Sequence, residues 1–187
     1  MTTPPQHIIV ISPIGDLDAS LINTICVGVN RRFGYGTEII PLLNDIGFAL
    51  EPVRDQYLST SIIEQISNLA PTHAIKVLAI CTEDLFIPIL THVYGEAQLG
   101  GKACIISTHR LKEGSSTMNN PESFDFRVEK EAIHELGHTF GLRHCPDHSC
   151  IMHYCRTVKD VDRKSDQLCR YCKILLEDEI KRLGVKA

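Results

Sequence analysis

Apolar residues in the first two-thirds of the chain form short runs with the composition of β-strands. The segments "HIIVISPI" (7–14), "TEIIPLL" (37–43) and "HAIKVLAIC" (73–81) are rich in β-branched residues and predict three strands. Two further strands are predicted at "LTHVYGEA" (90–97) and "KACIIST" (102–108), which the short segment "QLGG" joins as a hairpin.

Two segments between these strands repeat apolar residues every three to four positions, which predicts helices. Asp16 or Asp18 is expected to cap the first helix, and Gly34 stands where a left-handed residue ends one. The second helix is expected from about Ser59 to Pro71. Ser61 and Glu64 within it have the spacing of a capping box.

The last third of the chain has a different pattern. One helix is predicted over Phe126–Phe140, then an irregular segment rich in Cys and His, and a final helix over roughly Asp162–Leu183. Alternating strands and helices followed by a hairpin favour an α+β fold, close to α/β, with a mixed sheet covered by helices. We expect one domain over residues 1–187, with an N-lobe of about 1–140 and a C-lobe of about 141–187.

Composition narrows the class of protein. The 187 residues are 43% hydrophobic and 22% charged, and the net charge is −4, so we expect a globular core and no binding of nucleic acid. The first residues lack the charged start of a signal peptide, and no apolar run has the length of a membrane span. We therefore expect a cytoplasmic monomer without membrane contact. Its eight Cys then favour metal binding or redox chemistry over disulfides.

The segment "IHELGHTFGLRHCPDHSCIMHYC" (133–155) contains the first constellation of reactive side chains. His134 and His138 are four residues apart on a predicted helix, so both imidazoles lie on one face and can bind one ion. Glu135 points about a quarter-turn away, which suits a general base that reaches a water on the open side of the ion. Gly141 permits a sharp turn that returns His144 to the same ion. Three nitrogen ligands with an open fourth position are typical of catalytic zinc.

Four cysteines form the second constellation. Cys145, Cys150, Cys169 and Cys172 have the spacing C-x4-C-x18-C-x2-C, which predicts a closed structural zinc site that ties the final helix to the loop after His144. The last two are expected to share one face of that helix. Cys155 is an alternative to Cys150, and "CRYC" is also compatible with a redox pair. His148 and His153 are predicted to be bystanders.

Together the two constellations resemble the archaemetzincins, a family of metzincin zinc peptidases. The similar segments are "HELGHTFGLRHC", "PDHSC", "IM" and "CRYC", together with "EDLFIPILTHVYGEA" and "STHR" upstream. The resemblance covers roughly Arg54–Cys172. It implies a metzincin-like zincin fold, with a twisted mixed sheet, two helices in the N-lobe, an active-site helix, and a C-terminal helix held by structural zinc.

The resemblance also implies two zinc ions per chain and places Met152 at the Met-turn beneath the three imidazoles. Tyr154, in "IMHY", is similar to the tyrosine of the astacin branch and is a candidate stabiliser of the transition state, or otherwise an ordinary packed or exposed tyrosine.

The predicted function is therefore hydrolysis of peptide bonds in a peptide or protein substrate by a zinc-bound water that Glu135 activates. A zinc-binding interaction module with little or no peptidase activity is the alternative, and a thiol redox protein is a third. Either of the strands at 90–97 and 102–108 is a candidate for the edge strand that binds substrate.

Overall fold

The computed structural model describes residues 7–114 and 121–183. Its main sheet has five strands in the order β2-β1-β5-β8-β7. The strands are β1 (Ile8–Pro13), β2 (Gly36–Ile39), β5 (Ala74–Cys81), β8 (Ala103–Ser107) and β7 (Gly95–Ala97). All neighbours pair in parallel except β7, which runs antiparallel to β8 at one edge. The predicted mixed sheet and hairpin are confirmed, although the strands predicted at 37–43 and 90–97 are each shorter.

Side chains alternate across this sheet and build one core on each of its faces. In β1, Ile9 and Ile11 pack toward α1 (Ala19–Phe33) and α3 (Pro121–Thr139), whereas Val10 packs toward α2 (Ser59–Leu69). Because both faces are covered, the central strands β5 and β8 are largely apolar, with Lys76 and Ser107 as their polar members.

The helix ends test the capping predictions. Asp18 caps α1 through a hydrogen bond from Ser20 N, and Gly34 ends α1 with φ of 75°, as predicted. The capping box predicted for α2 is wrong, because the helix begins at Ser59 and no side chain caps it. The Ser59 hydroxyl instead donates to Phe86 O and bonds Glu96, which ties the start of the helix to neighbouring strands.

Two features were not predicted. A second sheet of three short strands, β3 (Leu50–Glu51), β4 (Gln56–Leu58) and β6 (Leu85–Phe86), precedes and follows α2. The final helix is divided into α4 (Val158–Arg163) and α5 (Arg170–Arg182). The prediction of one continuous helix is wrong, because Lys164 takes an extended conformation after α4 and Cys169 caps the start of α5.

In the described part of the chain, no helix combines the length and the apolar character needed to cross a membrane.

Candidate metal centres

The helix α3 carries three side chains of the predicted catalytic site. His134 and His138 lie one turn apart, and their Nε2 atoms approach to 3.1 Å. Each ring has its Nδ1 at a backbone carbonyl oxygen, at 2.8 Å from Ile151 O for His134 and at 2.7 Å from Leu142 O for His138. A carbonyl only accepts, so Nδ1 carries the proton in both rings and both Nε2 lone pairs point toward each other.

The turn after α3 brings the third histidine to this pair. Gly141 has φ of 85°, in the left-handed region that favours glycine, and its N–H bonds His138 O at 2.9 Å. The chain then reverses, and the ring of His144 lies 5.4 Å from that of His134 and 4.7 Å from that of His138. One nitrogen from each ring lies within 4.8 Å of the other two.

Burial keeps these imidazoles neutral. It lowers the pKa of His138 to about 4 and that of His134 well below the usual value, and Lys164 contributes to the latter shift. The pKa of His144 is also lowered, chiefly by burial, although this ring is partly exposed. Neutral imidazole is the form that binds a metal ion, so all three rings are suitable ligands at neutral pH.

Glu135 is buried next to the three histidines. Burial raises the pKa of its carboxyl well above the usual value, and the carboxylates of Glu131 and Glu96 add to the effect. Glu135 lines a cavity of about 820 Å³ together with the three imidazoles and the edge strand β7. Two strands were candidates for the free edge of the sheet. The strand order shows that β7, within the segment 90–97, lies at the edge, whereas β8 is an interior strand.

Met152 lies directly under α3. Its side chain is completely buried, and its Sδ lies 2.6 Å from the position that a Cβ on Gly137 would occupy. Gly137, which precedes the second histidine of "HELGH", thus allows Met152 to pack closely against the helix. Met152 O also accepts a hydrogen bond from Cys145 N at 2.9 Å, which connects this segment to the loop after His144.

Tyr154 stands at the rim of the cavity. Its ring centroid is 5.1 Å from that of His144, and 42% of the residue is exposed. The side chain therefore borders the three imidazoles without being held in the core.

The four predicted cysteines form a second group, in which all four Sγ atoms lie within 4.8 Å of one another. Cys145 Sγ and Cys169 Sγ are 3.8 Å apart, which is about the separation of two sulfurs bound tetrahedrally to one zinc ion at about 2.3 Å. Backbone N–H groups point at two of the sulfurs: Cys169 N bonds Cys150 Sγ at 3.3 Å, and Cys172 N bonds Cys169 Sγ at 3.5 Å.

Two details of the cysteine prediction are corrected. Cys169 precedes α5 as its cap and does not share a helix face with Cys172. The alternative of Cys155 in place of Cys150 is wrong, because Cys155 lies outside the group and lines the cavity. Burial raises the pKa of Cys155 to about 11, so it remains a thiol at neutral pH.

A buried ion pair next to the imidazoles was not predicted. Lys164 Nζ lies 2.7 Å from Glu131 Oε1, and the two side chains are only 1% and 4% exposed; the contact is an ion pair without the angle of a hydrogen bond. The same ammonium group lies 3.4 Å from His134 Nδ1. Glu131 lies four residues before Glu135 on the same face of the helix, and this spacing is visible in the sequence. No sequence pattern near Lys164 indicated that it would pair with Glu131.

Comparison with known proteins agrees with this arrangement. Residues 49–178 match the profile of peptidase family M54. The archaemetzincin of Methanopyrus kandleri is 40% identical over 136 residues, which cover 73% of this chain and 74% of that protein.

Solved structures are similar as well. The archaemetzincin structure from Methanopyrus kandleri has a TM-score of 0.80 at 30% identity and covers 97% of this chain and 100% of its own. The archaemetzincin of Archaeoglobus fulgidus, solved in complex with malonate, has a TM-score of 0.76 at 31% identity and covers 89% and 98%. The predicted fold and family are thus confirmed: the chain belongs to peptidase family M54, the family of the archaemetzincins, and is a metallopeptidase.

Proposed function

We propose that the chain hydrolyses peptide bonds with a zinc ion held by His134, His138 and His144, and that Glu135 acts as the general base. The proposal rests on one observation. Three neutral imidazole nitrogens and the buried carboxyl group of Glu135, which belongs to α3, meet in one open cavity. The set leaves a coordination position free toward the cavity, as catalytic zinc sites require.

The donor set fits zinc. Imidazole nitrogen is a preferred zinc ligand, and the carbonyls that bind the Nδ1 protons of His134 and His138 hold each ring in the tautomer that presents Nε2. When bound, zinc supplies Lewis acidity, which lowers the pKa of a water ligand to about 7 and polarises a carbonyl group.

Glu135 has the position and the proton affinity that its role needs. Its carboxylate takes a proton from the attacking water and delivers it to the amine that leaves. The raised pKa of its carboxyl, which is caused chiefly by burial, strengthens it as a proton acceptor.

The edge strand β7 provides a place for an extended substrate. Residues 95–97 pair with β8 on one side only, and all three line the cavity beside Glu135. The outer backbone groups of β7 are thus available to bind a peptide as an additional strand, which supports a peptide or protein substrate.

We further propose a second, structural zinc ion at Cys145, Cys150, Cys169 and Cys172. Four sulfur ligands leave no open position, so such an ion stabilises the fold and takes no part in the reaction. It connects the loop that follows His144 to the start of α5.

Tyr154 is proposed as a stabiliser of the negative charge that develops on the carbonyl oxygen, since its ring borders His144 at the cavity rim. Tyr154→Phe should lower kcat and leave KM unchanged. Unchanged values of both constants would reduce Tyr154 to a packing residue.

The decisive experiment separates metal binding from turnover. Glu135→Ala should retain zinc and lose hydrolysis of a broad peptide library by roughly 10²–10⁴-fold, the usual contribution of a general base. Glu177→Ala, an exposed carboxylate on α5, is the matched control and should behave as wild type. If wild type and Glu135→Ala bind zinc alike and are equally inactive, the zinc-binding interaction module replaces the peptidase.

A further inference from the structure

A third group of imidazoles lies outside both metal centres. His148 belongs to the loop between Cys145 and Cys150, and His153 directly follows Met152. Their rings approach across this loop, with His148 Nδ1 3.0 Å from His153 Nε2 and the ring centroids 4.3 Å apart.

The contact has the dimensions of a pair of metal ligands. Two nitrogens bound tetrahedrally to one ion at about 2.0–2.1 Å lie roughly 3.3 Å apart, close to the 3.0 Å between His148 Nδ1 and His153 Nε2. His134 and His138 show nearly the same distance, 3.1 Å, between nitrogens that belong to the histidine group of three.

The second nitrogen of His153 is also arranged as in a ligand. Its Nδ1 lies 2.9 Å from Cys145 O, so the proton is on Nδ1 and the lone pair of Nε2 points toward His148. His134 and His138 are fixed in the same way by backbone carbonyls. A ring N–H bound to a carbonyl is the usual support of a metal-binding histidine.

The charge nearby favours a cation. Asp147 precedes His148 and adds a negative charge to this loop, where its carboxylate accepts hydrogen bonds from Ser149 N and Ser149 Oγ. His148 and Asp147 are exposed, so an ion from solution can reach them.

We propose that His148 and His153 form a further metal site for a divalent ion that prefers imidazole, such as Zn²⁺. Water completes its coordination. An ion there connects the loop between Cys145 and Cys150 to the segment that carries Met152 and Tyr154. A simple N–H···N hydrogen bond between two neutral rings is the competing explanation, and it predicts no ion.

The test counts zinc on the zinc-loaded protein by equilibrium dialysis, with wild type compared with His148→Ala and His153→Ala. Each variant should bind close to one zinc equivalent fewer than wild type at a free zinc concentration only just sufficient to fill the site in wild type, because the single imidazole that remains holds the ion far more weakly than two. The matched control is His73→Ala, an exposed histidine beside Glu38, which should bind as much zinc as wild type.

A second measurement separates loss of the site from loss of folding. With the histidine and cysteine centres already loaded, further zinc should raise the unfolding temperature of wild type and of His73→Ala, since an ion that binds only the folded state stabilises it, and should leave His148→Ala unchanged. Equal zinc content in wild type and both variants, a loss in only one of the two, or an equal loss in His73→Ala would each overturn the proposal.

Discussion

The histidine centre ends at His144 and the cysteine centre begins at the next residue, Cys145, but their surroundings differ. The imidazoles face a cavity of about 820 Å³, and His138 is half-buried whereas His144 is exposed. The sulfurs instead face one another, and backbone N–H groups point at two of them. The difference teaches that adjacent residues can belong to sites with different roles. Three ligands leave a coordination position free for a reactant, as catalysis requires, whereas four ligands fill the coordination of an ion that stabilises the fold.

The largest expected contrast comes from changing these two neighbours one at a time. Cys145→Ser removes a ligand of the structural ion, whose binding energy is folding energy of about 10 kcal/mol or more in small zinc modules, so the variant should be largely unfolded. His144→Ala should remain folded and lose peptide hydrolysis. Thermal unfolding and hydrolysis of a peptide library measure the two effects, and a folded Cys145→Ser protein would remove the distinction between the centres.

A smaller effect is expected from the buried ion pair that joins α3 to the residue following α4. Lys164→Met leaves Glu131 buried without a partner and should lower the free energy of unfolding by about 3–5 kcal/mol. Glu131→Gln combined with Lys164→Met should recover much of this loss, because no unpaired charge remains. Denaturant unfolding of wild type and the two variants provides the measurement; a double variant no more stable than Lys164→Met would contradict the role of charge.

Gly141→Ala tests whether the turn after α3 positions His144 in the histidine centre. A Cβ there meets no atom within 4 Å, so only the left-handed φ of 85° opposes alanine, at a cost of roughly 1–2 kcal/mol. We expect that loss in denaturant unfolding, together with weaker zinc binding at the histidine centre, because the turn positions His144. A stability equal to that of wild type would show that the backbone relaxes without strain.

The smallest effect is expected at Cys155, which lines the cavity but belongs to neither group. Cys155→Ser should leave the zinc content unchanged and alter the free energy of unfolding by no more than about 1 kcal/mol. Cys150→Ser is the matched comparison and should lose the structural ion. Zinc measured by atomic absorption in the two purified variants distinguishes them, and a loss in Cys155→Ser would reassign the fourth sulfur.

Local patterns predicted those parts of the fold that depend on neighbouring residues. Apolar runs rich in β-branched residues located the main strands, period-3.6 spacing located three of the helices, and Asp18 and Gly34 marked the ends of α1. The errors lie where tertiary contacts override local preference. Ser59 bonds Phe86 and Glu96 from distant strands, so α2 begins without the predicted capping box, and Cys169 turns toward Cys145 and Cys150, which separates α4 from α5.

The sequence by itself predicted the two groups of side chains that meet, since the spacing of His134, His138 and His144 reflects the short reach of a helix turn and a tight loop, and the cysteines lie in two close pairs. It left the choice between Cys150 and Cys155 open. Only the tertiary structure decided which strand forms the free edge beside Glu135 and which residue neutralises Glu131. It also brought His148 to His153 and gave the two rings ligand-like geometry. These outcomes depend on contacts between segments far apart in the chain or across an irregular loop, where no periodicity carries information.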